Sequence, residues 1–239
     1  RDRDAHPCYT PPASYHARFD LAENTPPKTP TYASPACMAP EVDQTQARDV
    51  AVWRKAKRTE LRDARKTLSA STHADLSAQI AGRLEDILHR HCHSAKGQVF
   101  SMYWPIKGEP DLRALMGKLH EFGVRIALPS VETKAAPLVF RLWTPDAEMT
   151  RGDWNIPVLT EDAARVTPDI TLAPLVGWDP AGYRLGYGGG YFDRTLAALP
   201  SPPLKIGVGY DAARLPTIYP QEHDIAMDVI VTETGAHAV

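Results

Sequence analysis

Apolar side chains recur at helical spacing over two adjoining stretches of the chain. The segment from Val50 to Leu68 contains no proline and is rich in alanine, lysine, arginine and leucine, so it predicts a helix. A second apolar stripe follows, and Thr72 with Asp75 three positions later predicts a capping box at its start. The apolar members of the second stripe are Leu76, Ile80, Leu84, Ile87 and Leu88.

Shorter apolar runs, bounded by turn-forming residues, predict the strands of a sheet. Pro110 in a first turn and Gly123 at the end predict a helix between two of these runs, and 191–199 predicts another short helix. Alternating strands and helices predict an α/β fold, a layered Rossmann-like domain with helices flanking a mostly parallel central sheet. The runs that predict strands are 98–104, 124–131, 138–143, 169–178, 205–210 and 228–233.

Prolines divide the chain into two unequal parts. Eight of the 22 prolines fall within the first 50 residues, where apolar residues show no periodicity. Each proline fixes φ and removes a backbone donor, which excludes regular helix and central strand. We therefore expect residues 1–44 to form an extended or disordered Pro-rich arm and residues 45–239 to form the α/β domain.

The composition excludes several classes of function. A formal net charge of −2 lacks the basic excess of a polyanion-binding protein, and no apolar run approaches the roughly 18 residues that a membrane helix needs. Three cysteines are too few for a disulfide framework, which favours a reducing, cytoplasmic location. We expect small-molecule partners, no nucleic acid and no membrane, and a monomer or weak dimer.

A glycine-rich loop lies between an apolar run and the helix predicted at 191–199. Gly186 and the glycines at 188–190 carry no side chain, so backbone N–H groups can approach an anion at the helix start. Arg184 adds positive charge, and Asp193 offers an oxygen ligand for a phosphate-bound Mg²⁺. The loop is neither a P-loop, since no Gly-Lys-Ser/Thr closes it, nor a dinucleotide fingerprint, since Tyr191 occupies a required glycine position. For the glycines alone, a tight turn without a ligand is the alternative interpretation.

The run from Pro174 to Asp193 resembles the signature of the 5-formyltetrahydrofolate cyclo-ligases, also called 5,10-methenyltetrahydrofolate synthetases. In that family an apolar strand leads into P-x-x-x-[FW]-D and then into R-L-G-x-G-x-G-Y-[YF]-D. The residues that match are Pro174, Trp178, Asp179, Arg184, Leu185, Gly186, Gly188, Gly190, Tyr191, Phe192 and Asp193.

The resemblance extends beyond the signature, over about residues 50–235. Arg58 and Arg65 match a basic helix of the family, with Arg54 where the family has lysine. Glu109 occupies the position of an acid that contacts folate in the family, and Asp224 that of a second metal ligand near the last strand. Trp104 stands where other members often carry a smaller apolar residue.

The resemblance implies an ATP-dependent ligase that converts 5-formyltetrahydrofolate to 5,10-methenyltetrahydrofolate and releases ADP and phosphate, with Mg²⁺ as cofactor. It implies Arg184 and Tyr191 as catalytic residues and Asp193 and Asp224 as metal ligands. Implied substrate contacts are Trp104, Glu109, Gly188, Gly189, Gly190 and Tyr191. Implied ATP contacts are Arg54, Lys55, Arg58, Arg184, Leu185, Gly186, Tyr187, Gly188, Gly189, Gly190, Tyr191 and Phe192.

Other interpretations stay open at this point. The basic residues at 54–66 also suit a solvated helix face, and Glu109 also suits an acid placed near a helix N-terminus. A paralogue of the same fold could act on another substrate. A non-catalytic protein that binds folate or nucleotide is a further alternative. The two predicted metal-binding carboxylates argue against it, because binding a ligand without turnover does not need Mg²⁺.

Overall fold

The computed structural model describes residues 47–92, 95–152 and 155–239, so the Pro-rich arm expected at 1–44 lies outside the described residues. None of the helices in these ranges has the length and apolar character needed to span a bilayer. The helices are α1 (Ala47–Lys66), α2 (Ala70–His91), α3 (Arg113–Glu121) and α4 (Tyr191–Ala198).

The start of α2 differs from the sequence prediction. Ser69, and not Thr72, is the N-cap: the Ser69 hydroxyl accepts a hydrogen bond from the Thr72 backbone N–H at 3.1 Å. Thr72 already lies inside the first turn, where its hydroxyl is 2.8 Å from that of Ser69. The predicted capping box was therefore wrong by three residues, because an equally good cap residue precedes it.

The strands of the described residues are β1 (Val99–Ser101), β2 (Arg125–Ser130), β3 (Val139–Leu142), β4 (Met149–Arg151), β5 (Pro157–Leu159), β6 (Arg165–Val166), β7 (Ile170–Pro174), β8 (Gly177–Trp178), β9 (Arg184–Leu185), β10 (Leu204–Val208), β11 (Val229–Val231) and β12 (Ala236–Ala238). Eight of them form the central sheet, in the order β12-β11-β10-β7-β1-β2-β3-β6. The neighbours from β11 through β2 are parallel, and antiparallel strands lie at both edges. This arrangement confirms the α/β fold with a mostly parallel sheet.

The apolar run predicted as one strand at 169–178 is divided in two. It leaves the central sheet after Pro174, and its last residues form β8, which pairs with β9 in a small hairpin. Asp179 holds this hairpin, because its carboxylate accepts backbone hydrogen bonds from Ala181, Tyr183 and Ile218. The chain therefore turns away from the sheet just before the glycine loop.

Alternate side chains of β7 pack on opposite faces of the sheet, as the period of a strand requires. Leu172 contacts the core beneath α2 and α3, whereas Ala173 contacts a second core that includes Leu196 of α4. Leu61 of α1 also packs against this second core. Helices thus cover both faces, and the two cores place α1 and α4 on the same side.

The sheet order changes direction between β1 and β7. The chain proceeds from β1 to β2 on one side, and from β7 to β10 and β11 on the other side. Ligands of open α/β sheets bind at the carboxyl ends of the strands at such a switch point. The fold therefore predicts a site near the ends of β1 and β7.

Candidate active site

A pocket of about 240 Å³ lies at the switch point. Trp104 follows β1, Leu128 and Pro129 belong to the end of β2, and Pro174 ends β7; all four line the pocket. The glycine loop and the first residues of α4 form another part of its wall. The pocket therefore joins the ends of the parallel strands to the loop that the sequence singled out.

The loop backbone adopts conformations that suit glycine. Gly188 has a φ of 98° and Gly190 a φ of 62°, and Gly190 is the N-cap of α4. A Cβ on Gly190 would lie 2.9 Å from the Arg194 guanidinium, and one on Gly188 would lie 3.5 Å from that of Arg58. Because these two glycines carry no side chain, their backbone stays accessible on a pocket wall that is rich in guanidinium groups.

Arg54 and Asp224 form an ion pair at one end of the pocket. The Arg54 Nη2 and the Asp224 Oδ2 are 2.5 Å apart, and both side chains are about nine-tenths buried. Arg54 also donates to the carbonyl groups of Ile218 and Tyr219, at 2.9 and 2.8 Å. Although burial raises it, hydrogen bonds from Arg54 and Gln221 hold the pKa of Asp224 below its ordinary value.

Arg184 and Asp193 form a second ion pair beside the first. The Arg184 Nη2 donates to the Asp193 Oδ2 at 3.0 Å, with 5% of the Arg184 side chain exposed. Burial lowers the pKa of Arg184, whereas the charges of Asp193 and Asp224 raise it. The Arg184 Nε is buried without a hydrogen-bond partner among the described residues, so this guanidinium retains donor capacity.

Arg58 supplies a third guanidinium group. Its Nε donates to the Gly186 carbonyl oxygen at 2.7 Å, which connects α1 to the glycine loop. Burial lowers the pKa of Arg58, Arg54 lowers it further, and Asp224 opposes both. Three arginines beside two carboxylates leave one positive charge in excess at this end of the pocket.

The two carboxylates suit Mg²⁺ that arrives with a phosphate ligand. Asp193 and Asp224 both line the pocket and present the hard oxygen ligands that Mg²⁺ prefers. In the described part of the chain, no group of three or more His, Cys, Asp or Glu side chains could hold a metal by itself. Because Mg²⁺ usually takes one or two carboxylates with phosphate oxygens and water, this donor set fits it.

The other end of the pocket is apolar and aromatic. Tyr103 and Trp104 come from the segment after β1, and Tyr191 begins α4. Phe192 lies next to Tyr191 and carries the Arg184 guanidinium over its ring, at 5.1 Å from the centroid. The aliphatic and proline residues of this end are Ile106, Leu128, Pro129, Val131, Leu138, Ile156, Pro157 and Pro174.

Glu109 contributes a buried carboxyl group to the pocket. Only 3% of the residue is exposed, and its Oε2 accepts a hydrogen bond from the Ile106 backbone N–H at 2.9 Å. Burial raises the pKa of Glu109 to about 7, although Ile106, Arg65 and Tyr187 act to lower it. This carboxyl group can therefore exchange a proton near neutral pH.

Most residues implied by the signature lie together, and two do not line the pocket. Lys55 is exposed on α1, and Leu185 is 1% exposed in a small core with Leu215 and Ile218. The predicted site residues that do line the pocket are Arg54, Arg58, Trp104, Glu109, Arg184, Gly186, Tyr187, Gly188, Gly189, Gly190, Tyr191, Phe192, Asp193 and Asp224.

Several pocket residues were not identified from the sequence. Tyr103 was assigned to a strand over 98–104, but β1 ends at Ser101, so Tyr103 belongs to the connection that lines the pocket. Leu128 and Pro129 could have been found from the rule that ligands bind where parallel strands end. Arg65 matched the family pattern without being given a role; it does not line the pocket itself, but its Nη2 donates to the hydroxyl of Tyr187, which does.

A family model for the 5-formyltetrahydrofolate cyclo-ligases matches residues 50–233 of the chain. The chain belongs to this family. The match confirms the resemblance that the signature indicated, and membership in a family of ligases confirms the expectation of an enzyme.

Individual relatives agree with the family match. The 5-formyltetrahydrofolate cyclo-ligase of Escherichia coli is 26% identical over 178 residues, which cover 72% of this chain and 96% of the relative. The Mycolicibacterium smegmatis protein of that name is 32% identical over 144 residues, covering 57% and 74%. A solved structure of Aquifex aeolicus 5,10-methenyltetrahydrofolate synthetase superposes with a TM-score of 0.66 at 29% identity, covering 77% of this chain and 92% of that chain.

Proposed function

We propose that the protein catalyses the ATP-dependent conversion of 5-formyltetrahydrofolate to 5,10-methenyltetrahydrofolate, with release of ADP and phosphate. The observation that carries this proposal is a single pocket with two chemically different ends. Arg54, Arg58, Arg184 and the glycine loop suit a polyphosphate, while Tyr103, Trp104 and Tyr191 suit a flat heterocycle. The name of the matching family supports 5-formyltetrahydrofolate as one substrate, and ATP as the other is what the resemblance of the signature implies.

The reaction joins two steps that both need this arrangement. A formyl oxygen on an amide nitrogen is a poor leaving group. Its attack on the γ-phosphorus of ATP displaces ADP and leaves the oxygen phosphorylated, which makes the later step feasible. N10 of the folate then attacks the formyl carbon and gives up its proton, and the C–O bond breaks as the oxygen departs with phosphate. Phosphoryl transfer requires positioning and positive charge more than covalent help from the protein.

Particular residues meet these requirements. Arg54, Arg58 and Arg184 all line the pocket and provide the cationic clamp around the transferring phosphoryl group. Tyr191 stands where the loop meets α4, at the aromatic end of the pocket, and offers its ring to the heterocycle. Glu109 supplies a carboxyl group for the polar edge of that heterocycle.

We assign Mg²⁺ binding to Asp193 and Asp224. When bound, the ion offsets phosphate charge and orients the terminal phosphoryl group. The residues themselves hold two carboxylates at fixed positions, because Arg184 and Arg54 are paired with them. An arginine partner also prevents mutual repulsion of the two acids before nucleotide arrives.

The proposed setting follows from composition. We propose a cytoplasmic protein that acts as a monomer or weak dimer on reduced folate and ATP. Three cysteines in 239 residues suit a reducing compartment, and a net charge of −2 gives no general attraction for nucleic acid.

The deciding experiment measures the absorbance of the methenyl product from 5-formyltetrahydrofolate, with and without ATP and Mg²⁺. Product that appears only with both supports the proposal. Binding of folate or ATP without turnover would favour a regulator, and ATP hydrolysis driven by another substrate would favour a paralogue. Arg58→Gln should lose most activity, whereas Arg90→Gln, on an exposed part of α2 outside the pocket, should retain it.

A further inference from the structure

The connection between β2 and β3 forms one wall of the pocket although most of it is exposed to solvent. Its ends, Val131 and Leu138, line the pocket, whereas residues 132–135 between them are exposed. Near its first end, the Glu132 carboxylate pairs with the Arg141 guanidinium of β3 at 2.6 Å. Segments with few buried contacts open locally at a low cost in free energy. The second end, at Leu138, therefore needs an anchor of its own.

Thr195 of α4 provides this anchor through its hydroxyl group. The Leu138 backbone N–H donates to the Thr195 Oγ1 at 2.8 Å, and this Oγ1 donates in turn to the Tyr191 carbonyl oxygen at 2.6 Å. A helical threonine that donates to the carbonyl four residues earlier keeps its lone pairs for another donor. Thr195 is 2% exposed and does not line the pocket, whereas Leu138 and Tyr191 do. One buried hydroxyl thus joins the β2–β3 connection to the first residue of α4.

The side chain of Tyr191 contacts the same connection. Its hydroxyl oxygen accepts a hydrogen bond from the Ala135 backbone N–H at 3.5 Å. The Arg194 guanidinium lies 5.2 Å from the ring centroid, and a Cβ on Gly189 would lie 2.8 Å from the ring. Tyr191 also lines a second cavity of about 120 Å³, which shares Val131 with the pocket. With contacts on so many sides, Tyr191 cannot move far unless the β2–β3 connection moves with it.

We propose that Thr195 is a positioning residue, whose hydroxyl fixes Leu138 and Tyr191 at the separation that the substrate heterocycle requires. This inference rests on the proposed function, because Tyr191 is assigned there to the heterocycle. A valine at position 195 would keep the volume of threonine but leave the Leu138 N–H without its partner. The connection would then shift toward water to satisfy that N–H, and the aromatic end of the pocket would widen.

The test compares the KM values for the two substrates. Thr195→Val should raise the KM for 5-formyltetrahydrofolate on the order of 10-fold. The KM for ATP should stay within about twofold, because the arginines at the phosphate end form their hydrogen bonds with other residues. Thr195→Ser keeps the hydroxyl and should behave as the wild type. Thr171→Val is the matched control: the buried Thr171 hydroxyl of β7 has no hydrogen-bond partner among the described residues, so neither KM should change.

A second readout follows the connection itself and does not depend on turnover. Trypsin cleaves after lysine and arginine, and Lys134 lies in the exposed part of the connection. Thr195→Val should increase the rate of cleavage after Lys134 on the order of 10-fold, measured as a new amino terminus at Ala135. Cleavage after Arg141, which is buried in β3, requires the sheet to unfold and should stay far slower. Thr195→Ser should be cleaved at the wild-type rate.

The outcomes separate a positioning role from a general structural one. An unchanged KM for the folate in Thr195→Val, or an equal rise in both KM values, would overturn the proposal. A Thr195→Ser variant that behaves like Thr195→Val would also overturn it, because the methyl group and not the hydroxyl would then be what matters. Equal rates of cleavage after Lys134 and Arg141 would do the same, since the variant would then open only by unfolding as a whole. Absence of cyclo-ligase turnover in the wild type would instead overturn the proposed function, while the cleavage rates would still decide whether Thr195 anchors the connection.

Discussion

Two buried arginine–aspartate pairs give each carboxylate of the site a structural task beside the metal binding that we propose for it. Asp193 neutralises Arg184, and Asp224 neutralises Arg54, in each case with both side chains mostly buried. Removing one partner of a buried pair leaves an uncompensated buried charge. The resulting loss of stability is larger than the net stability that the pair contributes. At the scale of the residue, the metal binding proposed for these positions is therefore coupled to stability.

Asp193→Asn should consequently affect both rate and stability. Loss of a Mg²⁺ ligand should lower kcat/KM on the order of 100-fold and raise the Mg²⁺ concentration for half-maximal rate. Because Arg184 would lose its counter-ion, the free energy of unfolding should also fall, by about 3 kcal/mol. Metal titration of turnover and urea denaturation measure the two effects separately.

The matched control for this variant is Asp63→Asn. Asp63 pairs with Lys66 at 2.7 Å on the surface of α1, where both side chains are more than half exposed. Exposed pairs contribute little, so rate, metal requirement and unfolding should all stay near the wild type. An unchanged Mg²⁺ requirement in Asp193→Asn would remove Asp193 from the metal site and leave it as the partner of Arg184.

The buried carboxyl of Glu109 should make stability depend on pH. Its pKa rises from 4.5 in the unfolded chain to about 7 in the fold, so the folded protein binds more protons between these values. Stability from this group is therefore complete below about pH 4.5 and is lost as pH rises through 7, by about 3 kcal/mol in total. Glu109→Gln should remove this dependence, which denaturation curves at pH 5 and 8 would reveal. Parallel pH dependences of the two proteins would contradict it.

At the scale of the element, the glycine loop shows why one residue type is required. Gly188 has a φ of 98°, which an L side chain rarely adopts, and its missing Cβ faces the Arg58 guanidinium. Gly188→Ala should raise the KM for ATP on the order of 10-fold, because the strained loop shifts away from the phosphate. Gly82→Ala, in α2 with no atom within 4 Å of the new Cβ, should leave KM unchanged. Equal KM values for both variants would contradict a phosphate contact at the loop.

The cap of α2 provides a test of the corrected helix start. Ser69→Ala removes the side-chain acceptor for the Thr72 N–H and should lower the free energy of unfolding by about 1 kcal/mol. Thr72→Ala leaves that acceptor in place and should cost less. Thermal denaturation of the two variants compares them directly. A larger loss of stability in Thr72→Ala would indicate that Thr72 is the N-cap, as the sequence pattern predicted.

Sequence patterns predicted the long elements better than the short ones. The stripe from Leu76 to Leu88 was sufficient for α2, because apolar residues at helical spacing over more than three turns are difficult to mistake for a strand. The hairpin of β4 and β5 and the edge strands β6 and β12 have two or three residues each and show no period of their own. Their existence depends on the neighbours with which they pair.

The same distinction applies to the site. The signature names Arg184 and Asp193 because they are nine positions apart, within one motif. The pairing of Arg54 with Asp224 spans 170 positions and depends on α1 packing beside the end of the sheet. The hydrogen bond from Arg65 to Tyr187 likewise depends on the loop conformation that brings the two side chains together. The sequence motif indicated residues that lie close together along the chain. It could not indicate contacts between distant segments, which depend on the fold.

At the scale of the whole molecule, the sheet order explains why distant segments form one pocket. From the boundary between β1 and β7, later strands are added on both sides of the sheet. The segments at the carboxyl ends of β1, β2 and β7 therefore all lie near this switch point and line the pocket. The α1 helix adds its arginines from the amino-terminal side of the domain, and the segment before β11 adds Asp224. The site is therefore assembled from residues 54–224, entirely within the span that matches the family.

This assembly predicts what removal of the Pro-rich segment should do. Residues 1–44 precede the family match, which begins at residue 50, and the pocket lining begins at Arg54. A chain that starts at residue 45 should therefore keep kcat/KM for 5-formyltetrahydrofolate and for ATP within a few-fold of the full chain. Its unfolding transition in urea should keep the same slope, since the two cores that carry cooperativity lie within the domain. Lost turnover in a truncated protein that unfolds normally would mean that the segment contributes to the site. A lower midpoint with normal turnover would mean instead that it packs on the domain away from the pocket.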